Sequence, residues 1–565
     1  MSPFCSEKNR LHMSMKTRFR LDKAAFMTEI GEQTLLTPVN ASVSRWISRD
    51  EAVATVTDGG FVTATGNGDT VIVAEAESGE TAACMVSVGY HGQNPLLPPT
   101  WGLYIADGEP HSFDGRMYIY GSRDNPFGIN RHGAFNFCSH DYHVIYSDDL
   151  LHWTDAGVAV SIDDFPEELR FSPLTKEEEE MVEKGGEVAR QPVEFLWAPD
   201  LFRSPDKQTY YMTFCASEPR HQFFIAESSS PTGPFGNIRE ITYRGERIPN
   251  IDPGVLTDDD GWVYMAMPAP FRLGELDPET GYAEVKEDSV VSLQHLVADS
   301  PDGYYGFEGP SLRKFNGRYY YIYIASKQGE VCPVRMNYLV SDDIREGWRF
   351  GGTIIDTHEY LSGVNVHGSA EKWKDGFVLA YHRVSPGFPG FVTREMSMER
   401  MNIREDGSIE PVILTSSGVR GAFVKGDRIP ASAAVFFSGG RGDCRFTLCG
   451  SEIPEGSRNW HFENYPIAHF DTAGQYNGYR YVDLTGCTAV TARIRTEAAG
   501  GILLIRDRDP GSVLATLSLP DTAGEWQEIT APLTDVPCGR REIIVELSRV
   551  PETGRVELDR FTFHP

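Results

Sequence analysis

Positive charge is what this sequence has too little of. Its 565 residues carry 52 Lys and Arg against 81 Asp and Glu, a formal balance of −29. A surface that acidic repels polyphosphate and anionic headgroups, which excludes nucleic acid and membrane surfaces as partners. No stretch approaches the roughly 18–20 consecutive apolar residues of a membrane-spanning helix. The first 26 residues are mildly basic, through Lys8, Arg10, Lys16, Arg18 and Arg20, but lack the apolar segment of a secretory signal. The literal expectation is a cytoplasmic protein, with secretion the alternative if the start site is misassigned or a signal was removed. Cysteines are nine, scattered and odd in number. Cys84, Cys138 and Cys215 lie in apolar strands, so reduced buried thiols are expected rather than a disulfide framework. Cys444 and Cys449 lack the second pair that a zinc ribbon needs. No G-x-x-x-x-G-K-[ST] loop is present, and no H-E-x-x-H or G-x-S-x-G, which disfavours phosphate transfer, zinc proteolysis and serine hydrolysis. Nothing in the sequence specifies an oligomeric state.

What the chain does have is turns and aromatics. Gly and Pro number 55 and 35, and Phe, Trp and Tyr make up 11% of residues, a composition that leans towards β architecture. The length implies about three to five domains. Residues 1–27 read as a disordered or extended N-terminal segment. From 28 to 90 short alternating strands follow one another, with Ser44-Arg45-Trp46-Ile47-Ser48-Arg49-Asp50-Glu51-Ala52-Val53-Ala54-Thr55-Val56 leading to Gly59-Gly60 and then to Thr70-Val71-Ile72-Val73-Ala74. That pattern predicts a β-sandwich, and it resembles the bacterial Ig-like group 2 domain, which implies a spacer or adhesion module without chemistry.

The middle of the chain, residues 95–430, contains an internal repeat. Asp114-Gly115-Arg116-Met117-Tyr118 recurs as Asp206-Lys207-Gln208-Thr209-Tyr210, Asp260-Gly261-Trp262-Val263-Tyr264, Asn316-Gly317-Arg318-Tyr319-Tyr320 and Lys374-Asp375-Gly376-Phe377-Val378. Each is a tight polar turn feeding an apolar, mostly aromatic-rich strand, the hairpin signature. Five copies of about four strands each predict a five-bladed β-propeller. Lys176–Lys184, rich in Glu, reads as a charged helical insertion with a solvated face. Residues 431–565 return to alternation and predict a second sandwich. The whole is an all-β chain: a propeller flanked by an N-terminal Ig-like sandwich and a C-terminal jelly-roll sandwich.

Inner strands of a propeller converge on one axis, so carboxylates beside them can meet although remote in sequence. Asp107, Asp252 and Glu308 each lie seven or eight residues ahead of a repeat turn, and a shared phase and a shared funnel are expected for all three. Crowded like charges should push at least one pKa upward. Two carboxyls about 6.5–9.5 Å apart suit glycoside hydrolysis with inversion, one activating water and one protonating the leaving oxygen.

These motifs resemble glycoside hydrolase family 43, over roughly residues 95–425. Asp107 lies in a D-x-E-P-H variant, with Gly108 in place of the more usual Pro. Trp197-Ala198-Pro199-Asp200, Ile251-Asp252-Pro253, Glu308-Gly309-Pro310 and Asn365-Val366-His367-Gly368 follow in the family's order. The resemblance implies Asp107 as general base, Glu308 as general acid and Asp252 as modulator of its pKa. It implies substrate contacts from Trp197, Asp200, His367 and Arg394. No cofactor is required, and the resemblance admits a structural calcium near the propeller axis with His367 as ligand. His132, His140, His143 and His152 read as loop or subsite residues rather than a metal site. The implied activity is exo-acting removal of a terminal sugar from plant-type oligo- or polysaccharides, α-L-arabinofuranosyl first and β-D-xylosyl second. Alternatives are a β-galactofuranosidase, a galactan-directed exo-hydrolase of the same fold, and a non-catalytic glycan-binding propeller. The C-terminal sandwich resembles carbohydrate-binding module family 6, through Gly524-Glu525-Trp526-Gln527 and Leu558-Asp559-Arg560-Phe561. Trp526 is expected in its core, and Trp460, Tyr465, Tyr476 and Tyr479 are its candidate sugar platforms.

Overall fold

The computed structural model describes residues 18–565 apart from 126–136, 172–175, 187–191, 217–220, 299, 328–333, 360–365, 385–393, 439–444, 449–465 and 553. Trp460, Tyr465, His132, Asn365 and the Cys444/Cys449 pair lie outside the described residues. Among the described residues no helix is long and apolar enough to cross a membrane.

Each repeated turn closes the inner hairpin of its own antiparallel sheet. Phe113 pairs with Arg116 around Asp114-Gly115, Phe315 with Arg318 around Asn316-Gly317, and Trp373 with Gly376 around Lys374-Asp375. Asp114, Asn316 and Lys374 have φ of 51–52°, the left-handed backbone that tight two-residue hairpins demand and that Asp and Asn adopt most readily. The first blade is Tyr104–Phe113, Arg116–Asp124, Ser139–Ser147 and Thr154–Ser161, the second Leu196–Arg203, Tyr210–Ala216, Gln222–Ser228 and Gly236–Glu240. The third is Gly254–Thr257, Val263–Met267, Arg272–Glu275 and Val291–Ser292, and the fourth Tyr305–Phe315, Arg318–Ser326, Val334–Ser341 and Arg349–Asp356. The fifth has three strands among the described residues, Gly368–Trp373, Gly376–Val384 and Arg394–Met401.

The aromatic strands make sense as blade-to-blade packing. Tyr118, Tyr120 and Tyr142 of blade one pack on Phe214 and Phe224 of blade two. Tyr264 and Phe271 of blade three meet Tyr321, Tyr323 and Trp348 of blade four. Met117, Ile119 and Trp153 of blade one close the ring against Trp373, Met396 and Met398 of blade five. Closure is reinforced by the segment entering blade one. Leu96 N–H donates to Met396 O, and the Asn94 side chain donates to Met398 O, Thr415 O and Glu399 Oε1.

The flanks are not beads on a string. Ala25–Thr28 pairs antiparallel with blade one's outer strand Thr154–Ser161 and parallel with Thr81–Val88, so the N-terminal sandwich extends the first blade into one eight-stranded sheet. Within residues 18–27, Phe19, Leu21, Phe26 and Met27 are buried in cores, drawn in beside this pairing. The C-terminal sandwich stacks two antiparallel sheets over Tyr479, Phe561, Phe563 and Leu503. Buried Arg383 of blade five donates to Asn94 O, Ser432 O and Ala434 O, tying the propeller to this second flank. Tyr479, fully buried, presents no face to a sugar. Trp526 is half-buried outside that core, with Arg493 and Arg495 stacked on its ring 5.0 and 4.8 Å away.

Candidate active site

The inner strands share a local distortion that no periodicity reveals. In blade one Ala106 pairs with Ser122 and Glu109 with Tyr120, leaving Asp107 and Gly108 bulged. Blade two repeats this at Ala198-Pro199, and blade four at Gly309-Pro310. Asp107, Ala198, Asp252 and Gly309 all have positive φ, at 52°, 36°, 54° and 61°. Such bulges re-aim side chains and cluster at functional sites. The register also corrects an expectation. Asp107 is the first bulged residue of its strand and Asp252 takes the same left-handed backbone two residues ahead of Gly254–Thr257, whereas Glu308 precedes its bulge and shares its position with Ala106 and Trp197. The left-handed position beside Glu308 goes to Gly309, where a Cβ would meet Ile324 and His367 at 2.9 and 3.1 Å.

Asp107 is buried and heavily partnered. Its Oδ1 accepts from Arg394 at 2.7 Å and its Oδ2 from Ser122 Oγ at 2.7 Å, with His367 and His382 Nδ1 at 3.4 and 3.3 Å from Oδ1. Burial opposes ionisation, but Arg394 and His367 outweigh it and hold the carboxyl well below its ordinary value. Glu308 is the opposite case. It is half-buried and makes no hydrogen bond among the described residues, and desolvation with the charge of Asp252 pushes its pKa to about 8. Asp252 accepts from Gly309 N–H at 3.2 Å, and desolvation lifts it to about 6, against the pull of His367 and with help from Asp107. One floor thus carries a carboxylate that stays charged, an acid that stays protonated at neutral pH and a third carboxyl coupled to both. Such a set can take a proton from water and give one to a departing oxygen.

The remaining candidates separate. Trp197 presents a half-buried indole, its N–H donating to Phe137 O at 2.8 Å and its ring 5.6 Å from that of His221. Asp200 does not reach the funnel. It is 1% exposed, bonded to His111, Leu201 N–H and Val255 N–H at 2.7 Å each, with Arg313 at 3.6 Å. Being two positions beyond the bulge start puts it one layer down, in a belt with Glu109, Ser311 and Arg313. Arg394 is also spent internally, gripping Asp124 with Nε and NH2 at 2.9 and 2.8 Å and Asp107 with NH1. Its guanidinium lies over Phe137, 4.6 Å away, so it positions Asp107 instead of projecting towards a ligand. His143 is buried on Asp155 in blade one and His152 sits at the joint with the N-terminal sandwich, so neither is a subsite residue.

Sequence reasoning missed Ser122 and Asp124, which end blade one's second strand, and the role of His382, whose Nδ1 accepts the Asp107 N–H at 3.0 Å. Only the bulged register brings them to Asp107. His367 lies in the same cluster, buried, and Asp107 outweighs desolvation to raise it to about 9. Among the described residues no group of three His, Cys, Asp or Glu donors gathers at the axis to hold an ion. The side chains there do not form the oxygen-rich cage that calcium prefers, and no step is routed through one.

A family model described as glycosyl hydrolases family 43 matches residues 110–409. The chain belongs to that family. A xylosidase/arabinosidase of Thermoclostridium stercorarium is 28% identical over 480 residues, covering 78% of this chain and 93% of that protein. An arabinoxylan arabinofuranohydrolase of Paenibacillus polymyxa is 22% identical over 516 residues, covering 84% and 74%. Among solved structures, a family 43 arabinoxylan arabinofuranohydrolase from Bacillus subtilis in complex with cellotetraose is 20% identical with a TM-score of 0.42, covering 82% of this chain and 96% of that one. The protein is accordingly a glycosidase.

Proposed function

We propose that the protein is an inverting, exo-acting glycosidase that removes terminal α-L-arabinofuranosyl residues, with β-D-xylosyl residues second, from plant-type oligo- or polysaccharides. The observation that carries the mechanism is the division of protonation between Asp107, held charged, and Glu308, held protonated. Water adds to the anomeric carbon and its proton passes to Asp107. The glycosidic C–O bond breaks, its electron pair goes to the leaving oxygen, and that oxygen takes the proton of Glu308. Asp252 keeps Glu308 protonated by placing negative charge beside it. Trp197 offers the half-buried aromatic face against which a sugar can stack. The sugar preference rests on the relatives named for xylosidase, arabinosidase and arabinofuranohydrolase activity.

A panel of nitrophenyl α-L-arabinofuranoside, β-D-xyloside and β-D-galactofuranoside tests the sugar, with NMR of the first-formed anomer testing the stereochemistry. Fastest release from the arabinofuranoside with inverted product is expected. A retained anomer would end the single-displacement mechanism. Preference for the galactofuranoside would instead align the chain with a relative named β-D-galactofuranosidase, 23% identical over 352 residues.

A further inference from the structure

Three side chains from separate parts of the chain converge far from the funnel carboxyls in sequence and in contacts. Glu29 follows the strand Ala25–Thr28, His91 lies in the segment between the sandwich and blade one, and His152 lies in the turn before blade one's outer strand. Glu29 Oε1 is 2.8 Å from His91 Nε2 and 3.0 Å from His152 Nε2. Both imidazoles therefore aim the same nitrogen at one carboxylate oxygen, and among the described residues this is the one such trio whose donors all lie within 4.8 Å of one another. A second, independent feature stands behind it. The outer nitrogen of each ring faces a carboxylate: His152 Nδ1 is 2.7 Å from Asp149 Oδ2, and His91 Nδ1 is 3.7 Å from Asp427 Oδ1. Asp427 is itself held by Arg420 at 2.8 Å, whose guanidinium disfavours charge on His91.

We propose that Glu29, His91 and His152 form a binding site for one zinc-class divalent ion, which staples the N-terminal sandwich to the first blade. Two imidazoles and one carboxylate suit zinc, which accepts nitrogen and oxygen at about 2.0–2.2 Å, and not calcium, which wants oxygen alone. Water completes the fourth position. Asp149 fixes the tautomer and ring orientation of His152, as carboxylates behind zinc-bound histidines do. All three ligands are about one-third exposed, so the ion has an entry path. The site does no hydrolytic work, since none of its residues contacts Asp107, Asp252 or Glu308.

The test uses the full chain, stripped with chelator and dialysed against zinc chloride alone. One zinc per chain is expected by mass spectrometry, a tetrahedral cobalt(II) spectrum on substitution, and a higher Tm with zinc than without. His91→Gln and Glu29→Gln should abolish all three while hydrolysing the nitrophenyl glycoside like the parent, which also shows that they fold. Asp149→Asn, whose Oδ1 can still cap the turn, should weaken zinc about 10- to 100-fold. The proposal is overturned if the parent retains no more zinc than the His91→Gln/His152→Gln double variant. Zinc that binds without raising Tm, or with affinity indifferent to Asp149→Asn, overturns it equally, leaving an imidazolium bridge between Asp149 and Glu29 as the joint.

Discussion

Two layers of acids line the propeller axis, and they have opposite fates. The upper layer holds Asp107, Asp252 and Glu308. The lower holds Glu109 and Asp200, each two positions beyond the bulge start of its inner strand in blades one and two. Asp200 has a partner on every side, and Arg313 and His111 outweigh burial to keep it below its ordinary value. Glu109 is pushed to about 8 by burial and by Asp200, against Arg313, yet it is sealed at 3% exposure. Glu308 has a similar raised value but is half-open and unbonded. A displaced pKa alone therefore does not mark the acid; access to the funnel does. The lower layer fixes the strands, and the upper layer is left with protons to exchange.

The comparison breaks first at Glu308. Glu308→Gln should cost about 10²–10⁴-fold in kcat with an unchanged circular dichroism spectrum, and the loss should shrink on glycosides whose leaving group needs no proton. A variant with near-parental turnover on all substrates would remove Glu308 from the chemistry. Asp200→Asn probes the other layer. It breaks a buried ion pair, so a loss of stability of about 3–5 kcal/mol is expected in denaturant unfolding, with the pH profile of the folded fraction unmoved. A shifted profile would show that the layers are not separate.

Arg394→Met should raise the pKa of Asp107 by removing its strongest stabilising charge. Because the base must be ionised, the acidic limb of kcat/KM then moves to higher pH, while a merely structural arginine would lower activity without moving the limb. The smallest effect sharpens the upper layer from within. With Glu308 as the proposed acid, parental activity is expected to fall as pH rises through about 8, where Glu308 loses its proton. Asp252→Asn removes a neighbouring negative charge, favours ionised Glu308 and should bring that fall to lower pH by about one unit. An unmoved or raised limb would rule out the modulating role.

Much of this was legible before any coordinates. The five turns named the hairpins because a left-handed turn position is a local demand, met here at Asp114, Lys207, Gly261, Asn316 and Lys374 by residues adjacent in sequence. Asp107, Asp252 and Glu308 were picked out as candidates by their distance from those turns. Asp200 shows what the motif leaves open: it lies near the axis, but a displacement of two residues along a strand decides between funnel and buried belt, whereas Arg394 does reach Asp107 and divides its donors between it and Asp124. Tyr479 and Trp526 exchanged expected places for a related reason, since alternation tells that a strand has two faces and not which one the second sheet covers.

Taken alone, the order of residues determined that the chain is all β, that its middle is a five-fold repeat and which carboxyls are candidates, because turn chemistry and strand period are written within a few neighbours. Only the tertiary structure decided which carboxyl keeps its charge. That depends on Arg394, Ser122 and His367 reaching the Asp107 carboxyl while, among the described residues, no hydrogen bond reaches that of Glu308, and on burial, which acts through space rather than along the chain.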